Sequence, residues 1–328
     1  MSQDLLQVRD LVKHFPVETS FLSRVRGGEK DVVHAVDGVS FSIRRGETLG
    51  LVGETGSGKT TIARLIMRLI DRTSGEVVFE GKDVFSLDKK ELHSTRRDMQ
   101  IIFQDPFASL NPRMTVREIV ELPLQVHGIA EGDEKRKIAL DLLEKVGLSP
   151  AQRFIDRYPH EFSGGQRQRI GIARALASKP KFVVADEPVS ALDMSIRSQI
   201  LNLMQDLRTE FGLTYLLIAH DLSVVRYMSD WIGVLYLGKI VELARCEDFF
   251  LSPQHTYSKA LIAAIPVPDP TLRVQKTRLK GEMPSPIHPP KGCRFHTRCP
   301  FFTPECRDNE PQLVDIGRDH MVACHRNS

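Results

Sequence analysis

Two glycine-containing stretches carry the chemistry of this chain. The first, Gly53-Glu54-Thr55-Gly56-Ser57-Gly58-Lys59-Thr60-Thr61, follows the apolar run Thr48-Leu49-Gly50-Leu51-Val52 and opens a helix expected over Thr60 to Arg68. Its glycines let backbone N–H groups approach phosphate oxygens. Lys59 supplies a point charge to the β- and γ-oxygens, and the Thr60 hydroxyl can ligate Mg²⁺. A glycine-rich turn without function does not account for the strand before it and the helix after it. The second stretch, Phe162-Ser163-Gly164-Gly165-Gln166, lies far downstream and again starts a helix. Amides at a helix start and the helix dipole both favour an anion there. One nucleotide needs only one such cradle. Two imply that two copies of the domain face each other, each closing over the other's nucleotide.

Three further groups fit the same chemistry. Asp186 and Glu187 end the apolar run Phe182-Val183-Val184-Ala185, and side chains at the carboxyl edge of such a strand emerge beside a nucleotide crevice. Asp186 would hold Mg²⁺, directly or through water, and Glu187 would polarise the attacking water. His220 follows Tyr215-Leu216-Leu217-Ile218-Ala219 and precedes Asp221; it could contact the γ-phosphate and orient the water held by Glu187. Gln104 follows Met99-Gln100-Ile101-Ile102-Phe103, and its amide could reach metal or water. Taken singly, an Asp-Glu pair, a histidine or a glutamine is more often structural; these assignments rest on the set.

The elements needed to position these groups are legible in outline. Short buried-strand candidates alternate with helical stretches such as Ser195 to Arg208, a pattern that favours a largely parallel sheet covered by helices. Residues 106–178 lack strand signals and read as a helical insertion that includes Glu134 to Val146. A main nucleotide-binding body runs over 1–250, and 251–328 form a second region with a connecting helix near 255–265. Eleven of the 19 prolines lie between Pro253 and Pro311, and Ile265-Pro266-Val267-Pro268-Asp269-Pro270 reads as a semi-rigid connector.

Composition narrows the partners. The chain has 328 residues, for which the soft prior is about two domains. Lys+Arg 45 against Asp+Glu 42 leaves +3, which gives no support to nucleic-acid binding. No apolar run approaches the roughly 20 residues that span a bilayer, and no secretory signal is visible at the start. Any membrane role is expected to work through a partner.

The motifs in order resemble the ATP-binding subunit of ABC transporters: the phosphate loop, Gln104, Ser163-Gly164-Gly165-Gln166, Asp186-Glu187, Ser190-Ala191-Leu192-Asp193 and His220. The match covers roughly residues 5–250 and is specific because six motifs recur in order. It implies an α/β fold: a P-loop ATPase core with a mostly parallel sheet, an antiparallel β subdomain and a helical subdomain, plus a small cysteine-rich C-terminal appendage. It also implies a Walker A loop at 53–61, a signature at 162–166, a Walker B strand at 182–187 with Glu187 catalytic, a D-loop at 190–193 and a switch at His220. Gln104 joins Thr60 and Asp186 around Mg²⁺, and Phe15 stacks on adenine. Phe162 stands where the family usually has Leu, and Ala185 where it has a larger apolar residue; neither change removes a phosphate or metal ligand.

A narrower resemblance is carried by Tyr158-Pro159-His160-Glu161-Phe162, Phe103-Gln104-Asp105-Pro106, Ser109-Leu110-Asn111-Pro112-Arg113 and His255-Thr256-Tyr257-Ser258-Lys259-Ala260-Leu261. These are similar to dipeptide and oligopeptide importer ATPases, though Thr256 stands where the family usually has Pro. The start, His14-Phe15-Pro16 with an insert before Ala35-Val36-Asp37-Gly38-Val39, looks like the second, F-type member of their ATPase pair. The resemblance implies ATP hydrolysis at the cytoplasmic face of the inner membrane. The implied partners are a second, homologous ATPase, two permeases and an external binding protein. Importers of nickel and oligosaccharides share the subfamily, and a soluble non-transport ABC ATPase is the other alternative.

Of the five cysteines, Cys246 is isolated, whereas Cys293, Cys299, Cys306 and Cys324 fall in the last 36 residues. A reducing cytosol argues against disulfides. The spacings, with 5, 6 and 17 intervening residues, lack the close Cys-x₂-Cys pairs of structural zinc and match no ferredoxin pattern. Resemblance to importer ATPases with cluster-bearing tails implies a [4Fe–4S] cluster on these four thiolates.

Overall fold

The computed structural model describes residues 4–17, 31–265 and 281–326. The insert after Phe15 and the proline-rich connector lie largely outside them. In chain order the strands are β1 (Asp4–Pro16), β2 (Val32–Arg44), β3 (Thr48–Val52), β4 (Ser74–Phe79), β5 (Lys82–Asp83) and β6 (Met99–Ile102). They continue as β7 (Phe182–Asp186), β8 (Thr214–Ile218), β9 (Trp231–Tyr236), β10 (Lys239–Arg245), β11 (Val314–Asp315) and β12 (Met321–Val322). The chain forms two compact units: one built mainly from Glu80–Ala219 with Ile43–Thr48, the other from Leu6–Ser42, Leu49–Phe79 and the chain from His220 onward.

In the first unit β6, β7 and β8 run parallel, with Met99 opposite Phe182 and Phe182 opposite Thr214. Every residue of β7 and β8 is buried. Strands covered on both faces read as unbroken apolar runs, which is why they were legible. The matched register also sets their carboxyl ends side by side, Ile102 against Ala185 and Asp186 against Ile218. Gln104 and Glu187 therefore leave the same edge. Between β6 and β7 the chain is helical, with helices Val116–Val126, Gly132–Lys145 and Gly164–Leu176 packed on one another. Ile119, Val120, Leu124, Ala139, Leu143, Ile170 and Ala173 are buried there. Thr115 starts the first of these helices through a capping box with Glu118.

In the second unit β3 runs parallel to β9, Leu49 opposite Trp231 and Val52 opposite Val234. β9 then turns antiparallel into β10, and β1 pairs antiparallel with β4. The cysteine-rich tail belongs to this unit. β12 extends the sheet antiparallel to β10, with Glu242 opposite Val322, and β11 pairs with β12. Phe295 of the tail is 1% exposed and packs its ring edge-on to Tyr236 at 5.2 Å and beside Tyr257 at 5.5 Å. The tail belongs to the compact unit that holds the phosphate loop, and its few large apolar side chains find a core there.

A buried carboxylate fastens this junction. Glu242 is fully buried and accepts from the amides of Gln254 and His255 and from the ring of His320. Burial pushes its carboxyl up, yet these donors hold it below the usual carboxylate range. Next to it, His255 caps helix Thr256–Ala263 by accepting from the Tyr257 amide at Nδ1, 3.1 Å. That nitrogen must be unprotonated to accept. Burial pushes the His255 ring down from 6.5 to about 4, the neighbouring Glu242 only partly opposing it. Between those two values the unfolded chain takes a proton that the native ring refuses, so stability falls as pH falls. The loss expected at pH 5 relative to neutrality is about 2 kcal/mol. Melting curves at pH 7.5 and 5 will show it, and His255→Asn, which keeps a capping side chain, will flatten the dependence over that window.

Candidate active site

The phosphate loop is held in one shape by its surroundings in the second unit. β3 ends at Val52, and helix Lys59–Ile66 begins on Gly58, which has φ 109°. A Cβ on Gly53 would meet the Leu235 carbonyl oxygen at 2.2 Å, and one on Gly58 the Ala35 carbonyl oxygen at 2.3 Å. No other residue fits at either place, and Gly58 also needs the positive φ. The Ser57 carbonyl accepts from the Gly238 amide at 2.8 Å. Lys59 is 6% exposed, and its Nζ donates to the Gly53 carbonyl at 2.8 Å and the Glu54 carbonyl at 3.0 Å. The cation is thus stationed inside the loop's own curve. Thr60 and Thr61 lie in the first turn of the helix.

Beside the loop is a cleft of about 460 Å³ lined by Gly53, Glu54, Thr55, His220 and residues of helix Thr256–Ala263 and its end. His220 is exposed. Asp221, its neighbour, caps helix Leu222–Met228 by accepting from the Ser223 amide. Phe15 is exposed in β1 with Lys13 Nζ 4.8 Å from its ring centre.

The first unit brings Gln104 and Glu187 together: Gln104 Nε2 donates to Glu187 Oε2 at 2.8 Å. Glu187 has φ 47°, a left-handed conformation in which a non-glycine residue is strained. It is pinned there by its amide on the Ile218 carbonyl and by Ser190, whose amide and hydroxyl both donate to the Glu187 carbonyl. Such strain persists only where neighbours over-determine it, and it concentrates at working sites. Asp186, one residue earlier, is 7% exposed at the end of β7.

The second glycine stretch forms the start of helix Gly164–Leu176. Ser163 caps it, accepting from the Gln166 amide, while the Gln166 side chain accepts from the Ser163 amide. The reciprocal box fixes the direction in which this helix end faces. A Cβ on Gly165 would sit 2.4 Å from Ile196 Cγ2, so glycine permits close packing on helix Met194–Phe211. Asp193 caps that helix in turn, accepting from the Ile196 amide. Phe162, in place of the usual Leu, is buried against Phe154.

Residues 36–190 match the ABC transporter family, and residues 241–306 match the C-terminal region of oligopeptide/dipeptide transporters. The oligopeptide transport ATP-binding protein AppF of Bacillus subtilis (strain 168) is 50% identical over 326 residues, covering 98% of this chain and 97% of that protein. The chain belongs to the ATP-binding subunits of ABC transporters. A putative oligopeptide transport ATP-binding protein of the same organism, YkfD, is 52% identical over 98% of this chain and 95% of its own length. Among solved structures, the ATP-binding cassette MJ0796, a dimer in a post-hydrolysis state bound to ADP and Pi, superposes with a TM-score of 0.64 at 33% identity. It covers 74% of this chain and 98% of its own. The α/β fold and the ATPase activity follow from the family.

The residues expected at Mg²⁺ have the right chemistry for it: the Thr60 hydroxyl, the Gln104 amide oxygen and the Asp186 carboxylate are each hard oxygen donors. None of the four tail thiols forms a disulfide. Burial pushes the Cys293 thiol up to about 11. Among the described residues, no three of these sulfurs lie within 4.8 Å of one another. A single tetrahedral zinc, with Zn–S bonds of about 2.3 Å, needs a tighter group. The iron–sulfur cluster expected from the tail is not named in either family description, and among the described residues the thiols are not drawn into a closed ligand set. Two contacts at the active site were invisible in the sequence: the Glu54 amide donates to the Tyr257 hydroxyl at 2.8 Å, and Arg298 binds the Glu54 carboxylate. Their partners are 203 and 244 residues away, and no local pattern announces such pairs.

Proposed function

We propose that this ABC ATPase powers import of di- or oligopeptides across the inner membrane, as the F-type member of an ATPase pair. The observation that carries the reading is the pairing of an intact nucleotide motif set with a tail matching the oligopeptide/dipeptide transporter C-terminal region over residues 241–306. Two nucleotides are held head to tail with a homologous second ATPase, each between one subunit's Walker A loop and the other's Ser163-Gly164-Gly165. Two permeases and an external binding protein complete the importer. No helix among the described residues is long and apolar enough to cross a membrane, in keeping with a peripheral subunit at the cytoplasmic face. The helical insertion after Gln104 passes closure to a permease. Residues 1–250 form the ATPase domain, with 106–178 its helical subdomain, and 251–328 the transporter-type region.

In hydrolysis, Phe15 takes the adenine, the amides of Gly53 to Thr61 hold the phosphates and Lys59 bridges the β- and γ-oxygens. Mg²⁺, when bound, neutralises charge developing on those oxygens. Glu187, held in its strained conformation, orients and deprotonates the attacking water. Gln104, hydrogen-bonded to that carboxylate, fixes its direction, and His220 contacts the γ-phosphate. Ser163 and the amides of Gly164, Gly165 and Gln166 close on the partner's nucleotide. Glu187→Gln in the assembled transporter is expected to bind ATP as wild type does and to lose turnover by a factor on the order of 100 or more. Full turnover in that variant would sink the assignment.

For the tail, the finer reading is a [4Fe–4S] cluster on Cys293, Cys299, Cys306 and Cys324. Four soft thiols within the last 36 residues, together with the resemblance to importer ATPases with cluster-bearing tails, support it. Anaerobically purified protein should be brown, with broad absorbance near about 400 nm and stoichiometric iron. Colourless protein holding zinc and no iron would overturn this reading.

A further inference from the structure

Glu54 is the second residue of the phosphate loop, and each of its polar groups is engaged. Its carbonyl accepts from Lys59 Nζ at 3.0 Å and from the Ser57 amide at 3.1 Å. Its amide donates to the Tyr257 hydroxyl at 2.8 Å. Its carboxylate accepts from Arg298 Nη1 at 3.0 and 3.1 Å, one nitrogen bisecting both oxygens. The first two contacts are internal to the loop. The other two come from the transporter-type tail region.

Both tail groups are themselves fixed. Tyr257 is fully buried, with its ring 4.8 Å from Tyr236 and 5.5 Å from Phe295. The Arg298 side chain is 8% exposed, and its guanidinium lies 5.9 Å from the centre of the Tyr236 ring. Arg294, four residues earlier, donates to the Leu237 carbonyl and to Asp37. Leu237 precedes Gly238, whose amide holds the Ser57 carbonyl. The tail segment 294–298 therefore touches the loop's supports at two places through arginines, and Phe295 between them anchors the segment in the aromatic core.

We infer that Arg298 and Tyr257 are positioning residues for nucleotide binding: they orient Glu54 and, through its carbonyl, the Lys59 ammonium that meets the phosphates. The inference rests on the reading that Gly53 to Thr61 takes the phosphates of ATP. Arg298 has a second effect. A carboxylate in an anion cradle repels the polyphosphate, and the guanidinium cancels that charge. Losing Arg298 leaves Glu54 both unheld and uncompensated. Losing only the Tyr257 hydroxyl frees the amide and leaves the charge pair intact.

The test is steady-state ATP hydrolysis by the assembled transporter. Arg298→Ala is expected to raise the KM for ATP about tenfold while changing kcat no more than about twofold, because a buried charged hydrogen bond is lost. Arg298→Lys should recover part of the affinity. Glu54→Gln in the Arg298→Ala background should recover most of it, since the uncompensated charge is then gone; a purely structural role for Arg298 predicts no such recovery. Tyr257→Phe keeps the ring in its aromatic cluster, so it serves where Arg298→Ala does not assemble, and its KM should rise by a smaller factor. An unchanged KM in folded Arg298→Ala or Tyr257→Phe, or a fall in kcat at constant KM, overturns the inference. Lys59→Ala in the same assembly separates the two failures. If it too binds ATP normally, the phosphate-loop reading is at fault; if it alone loses ATP, only the role of the tail residues is.

Discussion

A polyphosphate carries more negative charge than any single side chain can meet, so several amides and one cation must be aimed at it together. That demands a fixed backbone between Gly53 and Lys59. Gly53 and Gly58 are the places where neighbouring carbonyls, those of Leu235 and Ala35, come too close for any Cβ. Lys59 is held within the loop by the carbonyls of Gly53 and Glu54. An anchored cation has already lost most of its rotamer freedom, so less entropy remains to be lost when a phosphate arrives. The rest of the second unit, from β9 to the aromatic core under the tail, can be understood as support for that short segment.

The first unit solves a different problem. The base proposed to hold the attacking water needs a fixed direction. Glu187 meets this by taking a left-handed conformation that three hydrogen bonds from Ser190 and to Ile218 enforce. Gln104 then fixes the carboxylate at its far end. Gln104 leads directly into the helical insertion, so the residue bonded to Glu187 is continuous with that insertion. Ser163 stands at the other end of that insertion, its direction set by the reciprocal bonds with Gln166. One helical segment is thus bounded by the glutamine that touches Glu187 and by the serine that caps helix Gly164–Leu176.

What the sequence revealed divides along the range of the interactions. β3, β7 and β8 are buried on both faces, so their apolar runs announced them, and the loop chemistry of Gly53 to Thr61 is contained in nine consecutive residues. The helical stretch expected over Ser195 to Arg208 lies within helix Met194–Phe211, which Asp193 caps. The tail was not legible. β11 and β12 have two residues each, too few for any periodicity, and exist because β10 offers an edge to pair with. The docking of Phe295 beside Tyr236 and Tyr257, and the grip of Arg298 on Glu54, join residues far apart in the chain. An isolated arginine in a cysteine-rich segment gives no sign that its partner is in a phosphate loop.

The central claim is that ATP hydrolysis by this chain drives peptide across a membrane. Its most direct test is uptake by proteoliposomes holding the complete importer and its binding protein, with ATP supplied on the side of this subunit and a labelled oligopeptide on the other. The account predicts peptide accumulation that requires ATP and stops with a non-hydrolysable analogue. Peptide-independent hydrolysis with no uptake, or uptake of nickel or an oligosaccharide in place of peptide, would contradict it.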